Sequence, residues 1–231
     1  MRGLGVDAAG RAGWVGIVVD DHGFASAHVS GSLADLVAAA DAGPGGPVDA
    51  IGIDIPIGLV DGPKRTADVA ARAYVGPRRS SVFAAPHPAV IHLDDYAEVN
   101  RVLRSLGLPA TSRQGFGLFA RVREAAASAA DPRVVEVFPE ASFRAMGESF
   151  VPASKKSWNG AADRVARLAA ADPPIVVPTD LGDAGLVAAD DVFDAAAAAW
   201  SARRVACGEA VRLGDAGEVD ASSGRPIAVW V

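Results

Sequence analysis

The run Val48-Asp49-Ala50-Ile51-Gly52-Ile53-Asp54-Ile55-Pro56-Ile57-Gly58 restricts what this chain can fold into more than any other stretch. Its apolar residues fall on both parities, so as a strand it buries both faces, which requires helices on each side of its sheet. Asp54 alone interrupts its centre. A carboxylate there costs on the order of several kcal/mol unless a partner, a proton or a metal satisfies it. Asp54 is therefore a candidate for chemistry.

The N-terminal stretch repeats the theme. Leu4-Gly5-Val6-Asp7 is a short apolar strand ending in a carboxylate. Gly10 to Gly13 is a Gly-rich turn, and Trp14 to Asp20 returns as a β-branched strand too apolar for an exposed edge. The expected form is a hairpin of two central strands with Asp7 at the end of the first. The alternative for Asp7 is a turn aspartate bonded to the Gly-rich backbone. The turn lacks a following Gly-Lys-Ser/Thr and leads into a strand rather than a helix, which excludes a P-loop and a dinucleotide fingerprint. No Gly-x-Ser-x-Gly elbow occurs either.

The remaining elements can be read in order. Phe24 to Val29 alternates as a third strand, and Ser32 caps a helix through Leu36 and Ala40. Helices are expected over Thr66–Tyr74, Asp94–Leu106 and Arg113–Ala130, with a Pro-rich ordered loop after the first. Arg133–Phe138 reads as a strand, and Pro139-Glu140 opens a short helix. Ala161–Ala170 is amphipathic, with Val165 and Leu168 expected inward and Asp163, Arg164 and Arg167 outward. Asp190-Asp191 opens a long Ala-rich helix to about Cys207. Ala210–Leu213 and Pro226–Val231 form a small hairpin or added sheet strands. The pattern predicts one domain over residues 1–231 with a mostly helical insertion at about 62–130.

Composition bounds the partners. The net charge of −6 argues against nonspecific binding to long nucleic acid while leaving room for a local basic groove. No apolar run is long enough to span a membrane. The single cysteine, Cys207, and an N-terminus that starts as a strand fit a cytoplasmic protein.

Four aspartates stand at element boundaries: Asp7, Asp54, Asp191 and Asp194. On a helix, the last two lie three apart and share a face. Carboxylates about 4 Å apart repel by roughly 4 kcal/mol at the effective dielectric of a protein surface. A converging set therefore demands divalent cations or shifted pKa values, and hard oxygen ligands suit Mg²⁺ or Mn²⁺. Helix capping is the simpler reading of Asp190 or Asp191. Glu136, inside an apolar strand, raises the same question as Asp54, and Glu140 is a further candidate. Arg78-Arg79-Ser80-Ser81, Lys155-Lys156 and Arg164 are the basic and hydroxyl groups available to a phosphate or to the acids themselves. His87 shows no evident partner.

Six blocks together resemble a prokaryotic domain-of-unknown-function family predicted to be ribonuclease H-fold nucleases. They are Gly5-Val6-Asp7 with Gly13-Trp14; Ile53-Asp54-Ile55-Pro56-Ile57-Gly58; Ser80-Ser81-Val82-Phe83; Glu136-Val137-Phe138-Pro139-Glu140; Lys155-Lys156 with Gly160 and Arg164; and Asp191-Val192-Phe193-Asp194-Ala195. The resemblance implies an α/β, ribonuclease H-like three-layer αβα fold. Its mixed sheet would begin with three antiparallel strands. The further likeness to Holliday-junction resolvases implies an acid on the first strand, one on the fourth and a pair on the last helix, places matched by Asp7, Asp54, Asp191 and Asp194. Phe138 departs from the family's frequent His before Pro-Glu. The expected activity is Mg²⁺- or Mn²⁺-dependent hydrolysis of nucleic acid, with those four acids as ligands and Arg79, Ser80, Lys156 and Arg164 as substrate contacts. Two alternatives stand beside it: a nucleotide-dependent phosphotransferase of the actin or acetate-kinase type, and an inactive ribonuclease H-like binding scaffold.

Overall fold

The structure is a computed structural model that describes residues 1–231. Seven strands form one sheet: β1 (Gly3–Ala8), β2 (Trp14–Asp20), β3 (Gly23–Ser30), β4 (Ala50–Ile53), β5 (Val134–Val137), β6 (Arg212–Leu213) and β7 (Val229–Trp230). Their spatial order is β3-β2-β1-β4-β5-β7-β6. β1 to β3 pair antiparallel, whereas β1–β4, β4–β5 and β5–β7 are parallel and β6–β7 is antiparallel.

Eight α-helices complete the mixed α/β chain: α1 (Leu33–Asp41), α2 (Thr66–Val75), α3 (Tyr96–Ser105), α4 (Arg113–Gly117), α5 (Phe119–Ser128), α6 (Pro139–Gly147), α7 (Trp158–Ala170) and α8 (Ala189–Cys207). Ser32 caps α1 by accepting from Asp35 N at 3.1 Å. The helix expected over 113–130 is divided at Leu118 into α4 and α5.

Both faces of the sheet are covered. Leu4, Val6, Val18, Ile51 and Ile53 pack with Leu33 and Leu36 of α1 and with Val122 and Ala125 of α5. Val15, Ile17 and Val19 pack on the other face with Phe143 of α6, Leu168 of α7 and the alanines of α8. Alternation along β1 therefore sends Leu4 and Val6 one way and Gly3, Gly5 and Asp7 the other. The Asp7 side is the side of α8. A Cβ on Gly5 would lie 2.0 Å from Ala199 N and 2.1 Å from Ala195 O, so α8 rests backbone-to-backbone on β1. Residues Asp194 to Ala202 are all buried in that contact. Gly5 permits an approach that any side chain would block.

Three expectations need correction. The apolar run 48–58 contributes only Ala50–Ile53 to the sheet. Past Ile53 its amides find other acceptors: Asp54 N donates to Val6 O at 2.9 Å, Ile57 N to Glu136 Oε2 at 2.6 Å and Leu59 N to Asp220 Oδ1 at 2.6 Å. Pro56 has no N–H for a ladder, so the strand stops early. In α7 the inward face is Gly160, Arg164 and Leu168, spaced four apart, while Val165 is 45% exposed. Arg164 is buried because Glu140 and the Gly160 carbonyl take its guanidinium. Arg167, also expected outward, turns back to donate to Phe143 O at 2.9 Å. Ala188, without a side-chain hydrogen bond, occupies the cap position of α8, so neither Asp190 nor Asp191 caps it.

Candidate metal centre

Asp7 is the penultimate residue of β1, Asp54 follows β4 directly, and Asp194 lies in the second turn of α8. β1 and β4 are parallel neighbours, so their carboxyl ends open side by side, and the α8 backbone held on Gly5 brings Asp194 over them. Carboxylate oxygens of the three lie within 4.8 Å of one another. Asp7 and Asp194 are buried, and Asp54 is half-buried.

The electrostatics are strained. Burial, with Asp54 and Asp194 adding to it, holds the Asp7 carboxyl well above the ordinary range. Burial and then Asp194 raise Asp54 in the same way. Asp194 is pushed up to about 6, chiefly by burial, even though Lys155 opposes the shift. Lys155 extends into the group, ion-pairs with Asp194 and lies 3.5 Å from Asp190 Oδ2. Burial disfavours its charge, but Asp194, Asp7 and Asp54 outweigh burial and raise its pKa.

A cavity of about 400 Å³ opens over the three acids. Its opposite wall comes from Ser80, Ser81, Val82 and Phe83 after α2 and from Leu118 between α4 and α5. Asp191 lines the cavity half-buried and lies outside the three-carboxylate group, so the expected four-acid set is a close triad with a fourth acid at its edge.

The other expected site residues separate into three groups. Ser80 lines the cavity, but Arg79 is exposed and is not among the lining residues. Its neighbour Arg78 reaches inward instead, to 3.7 Å from Glu140 Oε1. Lys156 is 70% exposed and pairs with Asp190 at 2.5 Å, so Lys155 is the lysine that enters the site. Arg164, fully buried, donates to Glu140 Oε1 at 2.6 Å and faces a glutamate rather than the cavity.

Glu136 also lines the cavity, but both its oxygens are engaged. Oε1 accepts from Arg65 at 2.6 Å, and Oε2 accepts from Arg65 at 2.8 Å and from Ile57 N at 2.6 Å. Arg65 also binds Asp68 Oδ1, and Asp68 Oδ2 accepts from Ala85 N at 3.0 Å. One buried guanidinium thus ties together β5, the segment after β4, the start of α2 and the loop beyond it. The sequence reading did not single out Arg65, although a glutamate in an apolar strand was the signal that a buried cation must be near. His87 has Asp61 as its partner, at 3.3 Å.

Three carboxylates from three separate elements, with one ammonium and no histidine or cysteine among the lining residues, make a group that could hold a metal ion. Fold and site together define an α/β protein with an acidic, cation-ready cavity at the carboxyl ends of adjacent parallel strands. Over residues 5–218 the chain matches the family described as "Protein of unknown function (DUF429)", and it belongs to that family. No curated protein and no solved structure matches it. No helix is long and apolar enough to cross a membrane.

Proposed function

We propose that this protein is a divalent-metal-dependent nuclease of ribonuclease H-like fold, hydrolysing phosphodiester bonds at the Asp7, Asp54 and Asp194 centre. The observation that carries this reading is the meeting of three carboxylates from β1, the end of β4 and α8 within 4.8 Å. Supporting it, three antiparallel strands are followed by parallel β4 and β5 in the order β3-β2-β1-β4-β5. That succession of antiparallel and then parallel strands is what the resemblance implies.

Mg²⁺ or Mn²⁺ in this position supplies Lewis acidity and a template for in-line displacement at phosphorus. Asp7, Asp54 and Asp194 would hold the cation, and Asp191 would stand at the edge as an added acceptor. Lys155, the cation among the cavity-lining residues, would supply an ammonium to a phosphate oxygen. Ser80 offers a hydroxyl from the opposite wall. Arg79 and Lys156, both exposed, contribute to attracting the polyanion rather than to the chemistry.

Purified protein is to be assayed with Mg²⁺ or Mn²⁺ on single-stranded, hybrid and branched nucleic acids. Cleavage of at least one, abolished in Asp7→Asn, is expected. No cleavage of any substrate, or equal cleavage by Asp7→Asn, rejects the reading. One contact favours a second reading: Lys155 already pairs with Asp194, as an inactive binding scaffold would arrange it. In that case Asp7→Asn changes stability and no chemistry.

A further inference from the structure

The acidic cavity has a neighbour of opposite sign. A second cavity, of about 240 Å³, adjoins it at Asp68, which lines both. One segment serves the two: Ser80 to Phe83 line the first cavity, and the next four residues, Ala84 to His87, line the second. The charged or titratable residues of the second are Lys64, Arg65, Arg72 and His87 against Asp68 alone, in a chain whose net charge is −6. The proposed nuclease chemistry uses none of the four basic groups.

Pairing decides how much of that charge is free. Arg65 is fully engaged: it pairs with Asp68 and Glu136 and donates to Gly58 O at 3.0 Å, so it forms wall rather than a binding group. Arg72 is half-buried and has no acidic partner. Its Nε and Nη2 both donate to Val82 O, at 3.3 and 2.9 Å, which leaves Nη1 without an acceptor. Lys64 is exposed and also unpaired. His87 Nδ1 accepts from Ala89 N at 3.2 Å, so the proton of the neutral ring sits on Nε2. Asp61, 3.3 Å from that nitrogen, is 84% exposed and is not among the lining residues. Two unmatched positive charges and an imidazole N–H therefore border one small hollow, with Leu103, Leu108 and Phe119 as apolar wall.

Size and charge define the occupant. The volume falls below the roughly 300–1,000 Å³ of sites for drug-sized ligands, so the occupant is compact. A phosphomonoester carries about −1.5 to −2 at pH 7 and matches Lys64 and Arg72 together. A carboxylate or a mid-chain phosphodiester brings one negative charge and leaves one of the two cations unmatched. The terminal oxygens of a phosphomonoester can also accept from a guanidinium, an ammonium and an imidazole at once.

We propose that this second cavity binds a phosphomonoester, its phosphate held by Arg72, Lys64 and His87 and its body set against Leu103, Leu108 and Phe119. The phosphate belongs to a small molecule or to the end of a nucleic-acid strand, which present the same dianion. The site is separate from the acidic centre and needs no metal there.

The test is calorimetric titration of the full chain in EDTA, where the metal-free acidic cavity repels anions. Phenyl phosphate is expected to bind once per chain and about tenfold or more tighter than benzoate. Lys64→Ala, at an exposed position, is expected to weaken it about tenfold, and adding Arg72→Gln about tenfold again, with circular dichroism confirming the fold. Asp7→Asn should leave the affinity unchanged. The proposal is overturned by no saturable binding of phenyl phosphate or inorganic phosphate, by equal affinity for benzoate, or by undiminished binding in folded Lys64→Ala and in the double variant. Loss of binding in Asp7→Asn puts the anion in the acidic cavity and overturns it too. Dinucleotides with and without a terminal phosphate separate the two sources. Tighter binding of the phosphorylated form than of phenyl phosphate assigns the site to strand ends, and the reverse order assigns it to a small molecule. Because no metal is present, the outcome is independent of whether the protein cleaves nucleic acid.

Discussion

Asp7, Asp54 and Asp194 share a volume that removes water from them and sets their charges against one another, so ionising them works against the folded state. Asp194 titrates near 6 in the fold against an ordinary 3.8, and Asp7 and Asp54 are likewise raised. An acid whose folded pKa is raised contributes stability that is complete below its unfolded value and is lost as pH climbs through the folded one. The metal-free protein is therefore expected to lose the Asp194 contribution between about pH 4 and 6, read as a falling Tm across that window. At pH 7, Asp7→Asn is expected to stabilise the metal-free protein, read as a higher Tm, since it removes a carboxyl whose ionised form is disfavoured chiefly by burial and then by Asp54. Mg²⁺ or Mn²⁺ at about a hundredfold excess over its Kd should stabilise the wild type by ~2.7 kcal/mol, and Asp7→Asn should lose most of that gain in a thermal-shift titration. The acids were legible in the sequence because each interrupts or ends an apolar run. Which lysine enters the centre was not legible: Lys155 and Lys156 are adjacent and chemically identical, and only the path of the chain into α7 separates them.

At the scale of elements, the two supports of the centre differ in kind. Glu136 in β5 and Arg65 before α2 form a buried ion pair at 2.6 Å, which also anchors the amide of Ile57. Arg65→Ala leaves Glu136 and Asp68 buried without their partner and is expected to cost about 3–5 kcal/mol in denaturant unfolding. The double change of Arg65 to Met and Glu136 to Leu should be distinctly milder, with Asp68 then the one carboxylate left without its cation. The α8 support is steric. Gly5→Ala would drive a methyl into the backbone of Ala195 and Ala199, and it is expected to destabilise by about 1–3 kcal/mol or more and to weaken Mn²⁺ binding by displacing Asp194. The helices and strands were readable from periodicity and caps, as the Ser32 cap of α1 shows. The early end of β4 and the inward turn of Arg164 were not. Both depend on partners 79 and 24 residues away, Glu136 for Ile57 and Glu140 for Arg164, which no local pattern encodes.

For the molecule as a whole, a run apolar on both parities was enough to foresee a sheet buried on two sides, and the packing of α1 and α5 against one face and α6 to α8 against the other agrees. The wall of the cavity was beyond such reasoning, because its residues come from the irregular stretch around Ser80 to Phe83 and from Leu118. Val82 of that stretch packs with Ala67, Ala71 and Val75 of α2, whereas the segment that follows has a small core of its own in Val90, Val99, Leu103 and Phe119, apart from those flanking the sheet. The Arg65 knot fastens the near edge of the wall as far as Ala85. If the cavity takes a polymer, as the proposed function requires, the segment past that point, packed on its own small core, is expected to move while the fastened edge stays still. In hydrogen exchange, the amides of Ile57 and Ala85 should be slow and those between 107 and 118 fast, and bound oligonucleotide should quiet only the latter.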